Sequence, residues 1–399
     1  MKRRVLINTH YMPIGGAERA LLGLLSAIDY DKYDVDLFIN RHEGELMKKI
    51  PAGVNLLPED KTYRLVLGPL SESLKTMNIR IALDKISYRL SHARYRLLNP
   101  LKEAKDDFTE FDLLWKKAIR HLPSLKSLGH YDAAISFIMP HYVVAKKVDA
   151  DVKIAWIHTD YTAVAVNQAS ELAVWSAYDK IVAISDAVRE SFAKIFPQLS
   201  DRVVTIPNIV PAELIRNEAG RENPEEFATG GLNILSVGRI CFAKNFETIP
   251  ETAAILKAKG LNFRWFIIGP GDSSQIMALA AEKGVSENVI ALGSRENPYP
   301  YMANCDIYVQ PSRYEGSCVC VEEAKIFGKV IVVTPYPTAT SQIENGVNGV
   351  IADSHSAEDL AEAVLKATRD KSRETNQEGQ PKMDKGDVNS KELIKILLP

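Results

Sequence analysis

Two glutamates eight residues apart, Glu315 and Glu323, lie in the run Pro311-Ser312-Arg313-Tyr314-Glu315-Gly316-Ser317-Cys318-Val319-Cys320-Val321-Glu322-Glu323-Ala324. Carboxylates accept hydrogen bonds from sugar hydroxyls. The backbone amides of Gly316, Ser317, Cys318 and Val319, with a helix starting behind them, suit phosphate oxygens. Such a segment fits a ligand that carries both hydroxyls and phosphates. Two acids after a strand are by themselves an ordinary strand-turn-helix, so the case rests on their company. Arg239 ends Ser236-Val237-Gly238-Arg239, and Lys244 follows five residues later, before a helix expected from Asn245 to Lys257. Two cations at a strand end can grip a diphosphate. Ile268-Gly269-Pro270-Gly271 would let a backbone approach a nucleotide. In Gly15-Gly16-Ala17-Glu18-Arg19, Gly16 has no Cβ and leaves room for a phosphate or sugar at a helix N-terminus. His158, at the end of Ile154-Ala155-Trp156-Ile157, would place an imidazole beside a reacting sugar.

These residues need strand ends to hold them, and the chain supplies strand patterns in two series. Val5 to Asn8, Val35 to Ile39, Ala133 to Ile138, Lys153 to Ile157, Lys180 to Ile184 and Val203 to Ile206 are short apolar runs. Helical patterns separate several of them. A polar stretch rich in Glu, Asn, Pro and Gly follows, read as a linker with a short helix over 208–231. The pattern then restarts at Asn233 to Val237, Arg264 to Ile268, Val289 to Leu292, Ile307 to Val309, Val330 to Val333 and Gly349 to Ile351. Short apolar runs alternating with helices predict an α/β fold with parallel sheets. The expected domains are 1–207 and 232–370, with 371–399 a polar tail ending in a short helix over Lys391 to Leu398. Ligands of such sheets bind at the carboxyl ends of the strands, so a cleft between the halves is the expected site.

Composition narrows the function classes. The 399 residues carry 49 Lys and Arg against 51 Asp and Glu, a net charge of −2, which argues against a chain built to coat nucleic acid. Hydrophobic residues make up 46%, typical of a globular protein. The 4 cysteines, Cys241, Cys305, Cys318 and Cys320, are too few for a disulfide scaffold and lack zinc-finger spacing. The apolar run after Lys2-Arg3-Arg4 is too short for a signal peptide, and no stretch reaches the ~18 apolar residues of a spanning helix. A cytoplasmic location is expected. Residues 62–126 are basic, and within them Ile79, Leu83, Ile86, Leu90, Ala93 and Leu97 recur at helical spacing. This segment is either an amphipathic helix packed on its own domain with a solvated basic face, or a surface for anionic lipid or an anionic acceptor. The two are compatible.

Taken together, these motifs resemble the retaining glycosyltransferases of family 4, with the Glu-x7-Glu pair as the most specific element. The resemblance extends through Ile206-Pro207-Asn208 and Glu344-Asn345-Gly346 and covers most of residues 1–369 apart from roughly 55–130. It implies the GT-B fold, two Rossmann-like domains facing each other across a cleft, the N-terminal one taking the acceptor. It implies metal-independent transfer of a hexose from a nucleotide-diphosphate sugar, UDP- or GDP-linked, with no cofactor. Arg239 and Lys244 would bind the diphosphate and stabilise charge on the leaving group. Glu315 would hold the donor sugar and Glu323 the ribose hydroxyls. The Gly316 to Val319 loop would meet sugar and phosphates, with Gly16 near the phosphates and His158 near the sugar. The acceptor would be a glycan or lipid-linked hydroxyl in cell-surface polysaccharide assembly, at the inner face of the plasma membrane. One departure is that Ser317-Cys318 stands where the family often has Phe-Gly.

Three rivals keep some of these features. A nucleotide-sugar epimerase or hydrolase of the same fold needs an acid/base pair, which nothing near His158 supplies. A nicotinamide oxidoreductase needs a G-x-G-x-x-G fingerprint, which the first strand lacks. A non-catalytic nucleotide-sugar-binding module has no use for the full set Arg239, Lys244, Glu315 and Glu323.

Overall fold

The computed structural model describes residues 2–98, 106–220, 224–227, 230–374 and 398. The chain forms two compact units, one of residues 2–13 and Leu21–Asn208, the other of Ile14–Ala20 and the described residues from Ile209 to Glu374.

The strands of the first unit are β1 (Arg3–Thr9), β2 (Tyr33–Ile39), β3 (Val54–Leu56), β4 (Asp106–Asp107), β5 (Tyr131–Ser136), β6 (Ala150–Ile157), β7 (Val164–Ala165), β8 (Lys180–Ala183) and β9 (Val203–Thr205). Seven of them form a parallel sheet in the order β3-β2-β1-β5-β6-β8-β9, and β4 pairs with β7 separately. The second unit has β10 (Leu232–Val237), β11 (Phe263–Ile268), β12 (Val289–Gly293), β13 (Ile307–Gln310), β14 (Val330–Val333) and β15 (Val350–Ile351), in the order β12-β11-β10-β13-β14-β15. All twelve apolar runs of the sequence are strands. The edge strand β3 escaped them because it is three residues long and half exposed.

Alternation explains why the second sheet is buried on both faces. Ile234, Trp265, Ile267, Val309 and Val332 enter one core cluster, while Leu235, Phe266, Ile268, Tyr308 and Val333 enter another. A strand flanked by helices on both sides must be apolar throughout, which is why these runs read as continuous. In this sheet β10 leads toward β11 and β12 on one side, and β13 leads toward β14 and β15 on the other. The order reverses between β10 and β13, the place where α/β sheets open a crevice at their carboxyl ends.

Several expectations are corrected. The stretch 208–231 contains the expected short helix, Ala212–Ala219, and in addition a turn, Glu225–Phe227, whose Phe227 packs 4.6 Å from Phe266 and 5.5 Å from Tyr301 between ring centroids. The helix expected from Asn245 to Lys257 starts at Ile249, because Asn245 adopts a left-handed φ of 55° and Lys244 ends a 3-10 turn, Phe242–Lys244. The last described helix, Ala357–Glu374, runs four residues into the expected tail. The remaining tail, including the expected helix over Lys391 to Leu398, lies outside the described residues apart from Leu398.

The basic segment does form a helix, Ile79–Leu98, but its packing departs from the first of the two readings, in which the apolar stripe packs on its own domain. The buried positions are Ile81, Ala82, Asp84, Lys85 and Tyr88, whereas Ile79, Leu83, Ile86, Leu90 and Leu97 are exposed. Asp84 can be buried because His121 Nδ1 lies 2.6 Å away, and Lys85 because it donates to the carbonyl of Gly68 at 2.5 Å. Burial pushes Lys85 down to about 8, partly opposed by Glu72.

The first unit also buries Glu171, which accepts from Tyr161 at 2.9 Å and from the indole of Trp175 at 3.3 Å. Burial pushes its carboxyl up to about 7 from the ordinary 4.5. The folded state therefore holds this proton more tightly than the unfolded chain. Its contribution to stability is full below about pH 4.5 and is lost as pH rises through 7. Glu171→Gln is expected to remove that loss. Its stability relative to the parent, followed by urea unfolding, should rise by about 2–3 kcal/mol between pH 5 and pH 8. A difference that does not change with pH would show that Glu171 stays charged.

Candidate functional site

The carboxyl ends of β10 and β13 place the strongest motifs together. Gly238 and Arg239 follow β10, and the Pro311 to Val319 loop follows β13. Lys244 Nζ donates to Glu315 Oε1 at 2.5 Å, and Ser312 Oγ donates to the same oxygen at 2.6 Å. Gln310 Nε2 donates to Ser312 Oγ at 2.9 Å, and the Tyr308 hydroxyl donates to Gln310 Oε1 at 2.8 Å. A hydrogen-bonded chain thus runs from inside β13 to the Lys244 ammonium and fixes the Glu315 carboxylate. Burial by itself would lower the Lys244 pKa, but the Glu315 carboxylate outweighs it and holds the ammonium well above its ordinary range.

Arg313 ties the two loops to each other. Its backbone N–H donates to Ala243 O at 2.8 Å, and its guanidinium donates to Phe242 O at 2.6 Å, pairs with Glu247 at 2.7 Å and covers the Phe242 ring. The turn that presents Lys244 is therefore clamped to the loop that presents Glu315. Arg239 is exposed and has no ion-pair partner among the described residues. The Gly269 turn approaches from β11 with a φ of +154°, and a Cβ there would fall 1.9 Å from Gly238 O. Only glycine permits this contact of two strand-end turns.

Glu323 sits on the helix Val319–Ile326 and is buried. Arg19 Nη1 donates to its Oε2 at 2.8 Å and its Oε1 at 3.1 Å, and the Tyr299 hydroxyl donates to Oε1 at 2.9 Å. Side-chain exposure is 8% for Arg19 and 1% for Glu323, so this is a desolvated ion pair, and it lies within the second unit because Ile14–Ala20 belongs to that unit. A ribose could use only the lone pairs that Arg19 and Tyr299 leave on Glu323. Gly16 lies in the same unit, where a Cβ added to it would stand 3.8 Å from Val319. Glu18, the next acid, is pushed up to about 7 by burial, which the charge of Arg239 partly opposes.

One sequence expectation changes. The Cys318 amide is not available to a phosphate: it donates to Gln342 Oε1 at 2.9 Å, and Gln342 Nε2 donates back to Cys318 O at 3.0 Å. The N–H groups of Ser317 and Val319 make no hydrogen bond among the described residues. His158 follows the end of β6 in the first unit, the half in which the sequence placed it. Its Nε2–H donates to Phe137 O at 2.9 Å, and burial lowers it to about 4, so it is neutral and offers only Nδ1 as an acceptor. His10 is likewise lowered to about 4 by burial, donating to Met139 O at 2.9 Å and accepting from Asn40 at 2.7 Å. Among the described residues, no group of three or more His, Cys, Asp or Glu could hold a metal ion.

The sequence motifs therefore bring Gly16, Arg239, Lys244, Glu315, Gly316, Ser317, Val319 and Glu323 into one unit and leave His158 in the other. Arg19, Ser312, Arg313 and Tyr299 are the functional candidates that motif reasoning passed over. Arg19, Ser312 and Arg313 lie inside the quoted motifs, but nothing local marks a guanidinium that pairs 304 positions away.

Residues 221–382 match the family model described as glycosyl transferases group 1. The N,N'-diacetylbacillosaminyl-diphospho-undecaprenol alpha-1,3-N-acetylgalactosaminyltransferase of Campylobacter jejuni is 35% identical over 131 residues, 33% of this chain and 34% of that protein. The N-acetylgalactosamine-N,N'-diacetylbacillosaminyl-diphospho-undecaprenol 4-alpha-N-acetylgalactosaminyltransferase of the same organism is 24% identical over 272 residues, 65% of this chain and 73% of that protein. The chain thus spans about a third of the length of the first of these curated relatives. Among solved structures, Anabaena Alr3699/HepE in complex with UDP-glucose superposes with a TM-score of 0.66 at 15% identity, covering 99% of both chains. The fold is that of GT-B glycosyltransferases, built from two Rossmann-like units with parallel sheets.

Proposed function

We propose that this chain is a retaining, metal-independent glycosyltransferase of family 4. It moves a hexose from a nucleotide-diphosphate sugar to a hydroxyl of a glycan or lipid-linked acceptor in cell-surface polysaccharide biosynthesis. The observation that carries the reading is the Lys244–Glu315 pair, held by Ser312 at the point where the second sheet reverses its order, with exposed Arg239 beside it. The group 1 match over this region and the diphospho-undecaprenol acceptors named for the two Campylobacter relatives support it.

In this reading Arg239 and Lys244 face the donor diphosphate. Glu315, its orientation fixed, accepts from donor-sugar hydroxyls, and the Ser317 and Val319 amides take phosphate or sugar oxygens. The bond from the anomeric carbon to the diphosphate oxygen breaks, and the acceptor oxygen bonds that carbon from the same face. The acceptor proton passes to the leaving diphosphate, whose charge the two cations stabilise. Neutral His158 serves as a hydrogen-bond acceptor toward sugar or acceptor and not as a proton donor.

Calorimetric titration of the full chain with UDP, GDP, ADP and NAD in EDTA tests this. One nucleoside diphosphate is expected to bind, and its hexose conjugate to be consumed when lipid-linked glycan is supplied, with the anomeric configuration retained by NMR. Binding of NAD alone, or inversion in the product, would overturn the proposal.

A further inference from the structure

The helix Ile79–Leu98 presents the inverse of a core-packed amphipathic helix. At about 100° per residue, Ile79, Leu83, Ile86, Leu90 and Leu97 fall on one line. Their exposures are 64%, 59%, 45%, 70% and 82%. Arg80 and Arg94 stand on one side of that line and Arg89 on the other. All three are exposed, without an ion-pair partner among the described residues. Asp84 is the one acid in the helix, and it is buried against His121. The outward face therefore holds large apolar side chains and cations, with no anion. Just before the helix, Leu74 and Met77 are 58% and 81% exposed. Meanwhile the helix spends buried positions on Asp84 and Lys85. Packing onto the first unit cannot account for such a division, since it would turn the leucines inward.

We infer that this face is a docking surface for an anionic lipid bilayer. A helix of 20 residues, about 30 Å long, would lie along the interface with its apolar line among the acyl-chain ends and its arginines at the headgroups. Charge complementarity selects this occupant. A second copy would bring three further unpaired arginines against the first three, whereas an anionic leaflet neutralises them. No described helix is long and apolar enough to cross a membrane, so this would be surface attachment. The inference goes beyond the transferase reading and is tested without donor or acceptor.

Co-sedimentation of the full chain with vesicles of 30% phosphatidylglycerol in phosphatidylcholine, against pure phosphatidylcholine, reads it directly. Binding to the anionic vesicles is expected at low salt and release at high salt. Each arginine near the surface contributes roughly fivefold, so Arg80→Gln/Arg89→Gln/Arg94→Gln should bind about a hundredfold more weakly. Leu83→Ser/Leu90→Ser should lose about tenfold or more. Because these side chains are exposed, circular dichroism and nucleotide binding should match the parent. Equal binding to neutral vesicles, or an unchanged affinity in either variant, would overturn the inference. Capture of an acidic protein in place of vesicles would do so too, as would self-association abolished by Leu83→Ser/Leu90→Ser.

Discussion

Lys244→Ala is expected to weaken nucleoside diphosphate binding by about 1.5–3 kcal/mol, roughly ten- to a hundredfold, and to lower turnover by about 10²–10³. Lys244 has three donors, of which one is engaged by Glu315 at 2.5 Å. The others are free to meet a diphosphate, and charge on the leaving group grows as the glycosidic bond breaks, so the larger effect falls on turnover. Glu315 keeps its hydrogen bond from Ser312 in the variant, so the loop should hold its shape. Affinity and turnover are compared at one salt concentration, with circular dichroism as a folding control. Lys244→Arg should restore part of the affinity, because the charge returns in a different geometry. An alanine variant within twofold of the parent in both quantities would remove Lys244 from the site.

Arg19→Ala is expected to destabilise the second unit by about 3–5 kcal/mol, because it leaves the Glu323 carboxylate buried with Tyr299 as its remaining partner among the described residues. Thermal or urea unfolding measures this. Changing both residues together, Arg19→Met with Glu323→Leu, should recover most of the stability, since a buried ion pair gains little over apolar groups of similar size. The double variant should still fail to bind nucleotide, because the carboxylate proposed to hold the ribose is gone. Stability and recognition thus separate. A loss below about 1 kcal/mol in Arg19→Ala would mean that water reaches the pair.

The parts of this protein that the sequence made legible are those with local causes. A parallel strand covered on both faces is a short apolar run, so Ile234–Val237 or Val330–Val333 announce themselves without reference to any neighbour. The Glu315/Glu323 spacing and the Arg239/Lys244 pair are legible because, in a strand-turn-helix unit, the residues just past the strand end are held in place by the turn. The helix that the sequence pattern starts at Asn245 begins at Ile249, because the left-handed turn at Asn245 leaves no apolar signature.

Sequence by itself therefore determined the α/β class, the two series of strands and the residue types at their ends. Each depends on a period of two or 3.6 residues or on a turn a few residues long. Only the tertiary structure decided which partners those residues take. Arg19 finds Glu323 across 304 positions, and Gln342 claims the Cys318 amide across 24. It also decided which way the Ile79–Leu98 helix turns its leucines. Helical periodicity shows that an apolar face exists; the side it presents to solvent depends on what packs against the other, and here the buried needs of Asp84 and Lys85 are met from the protein side.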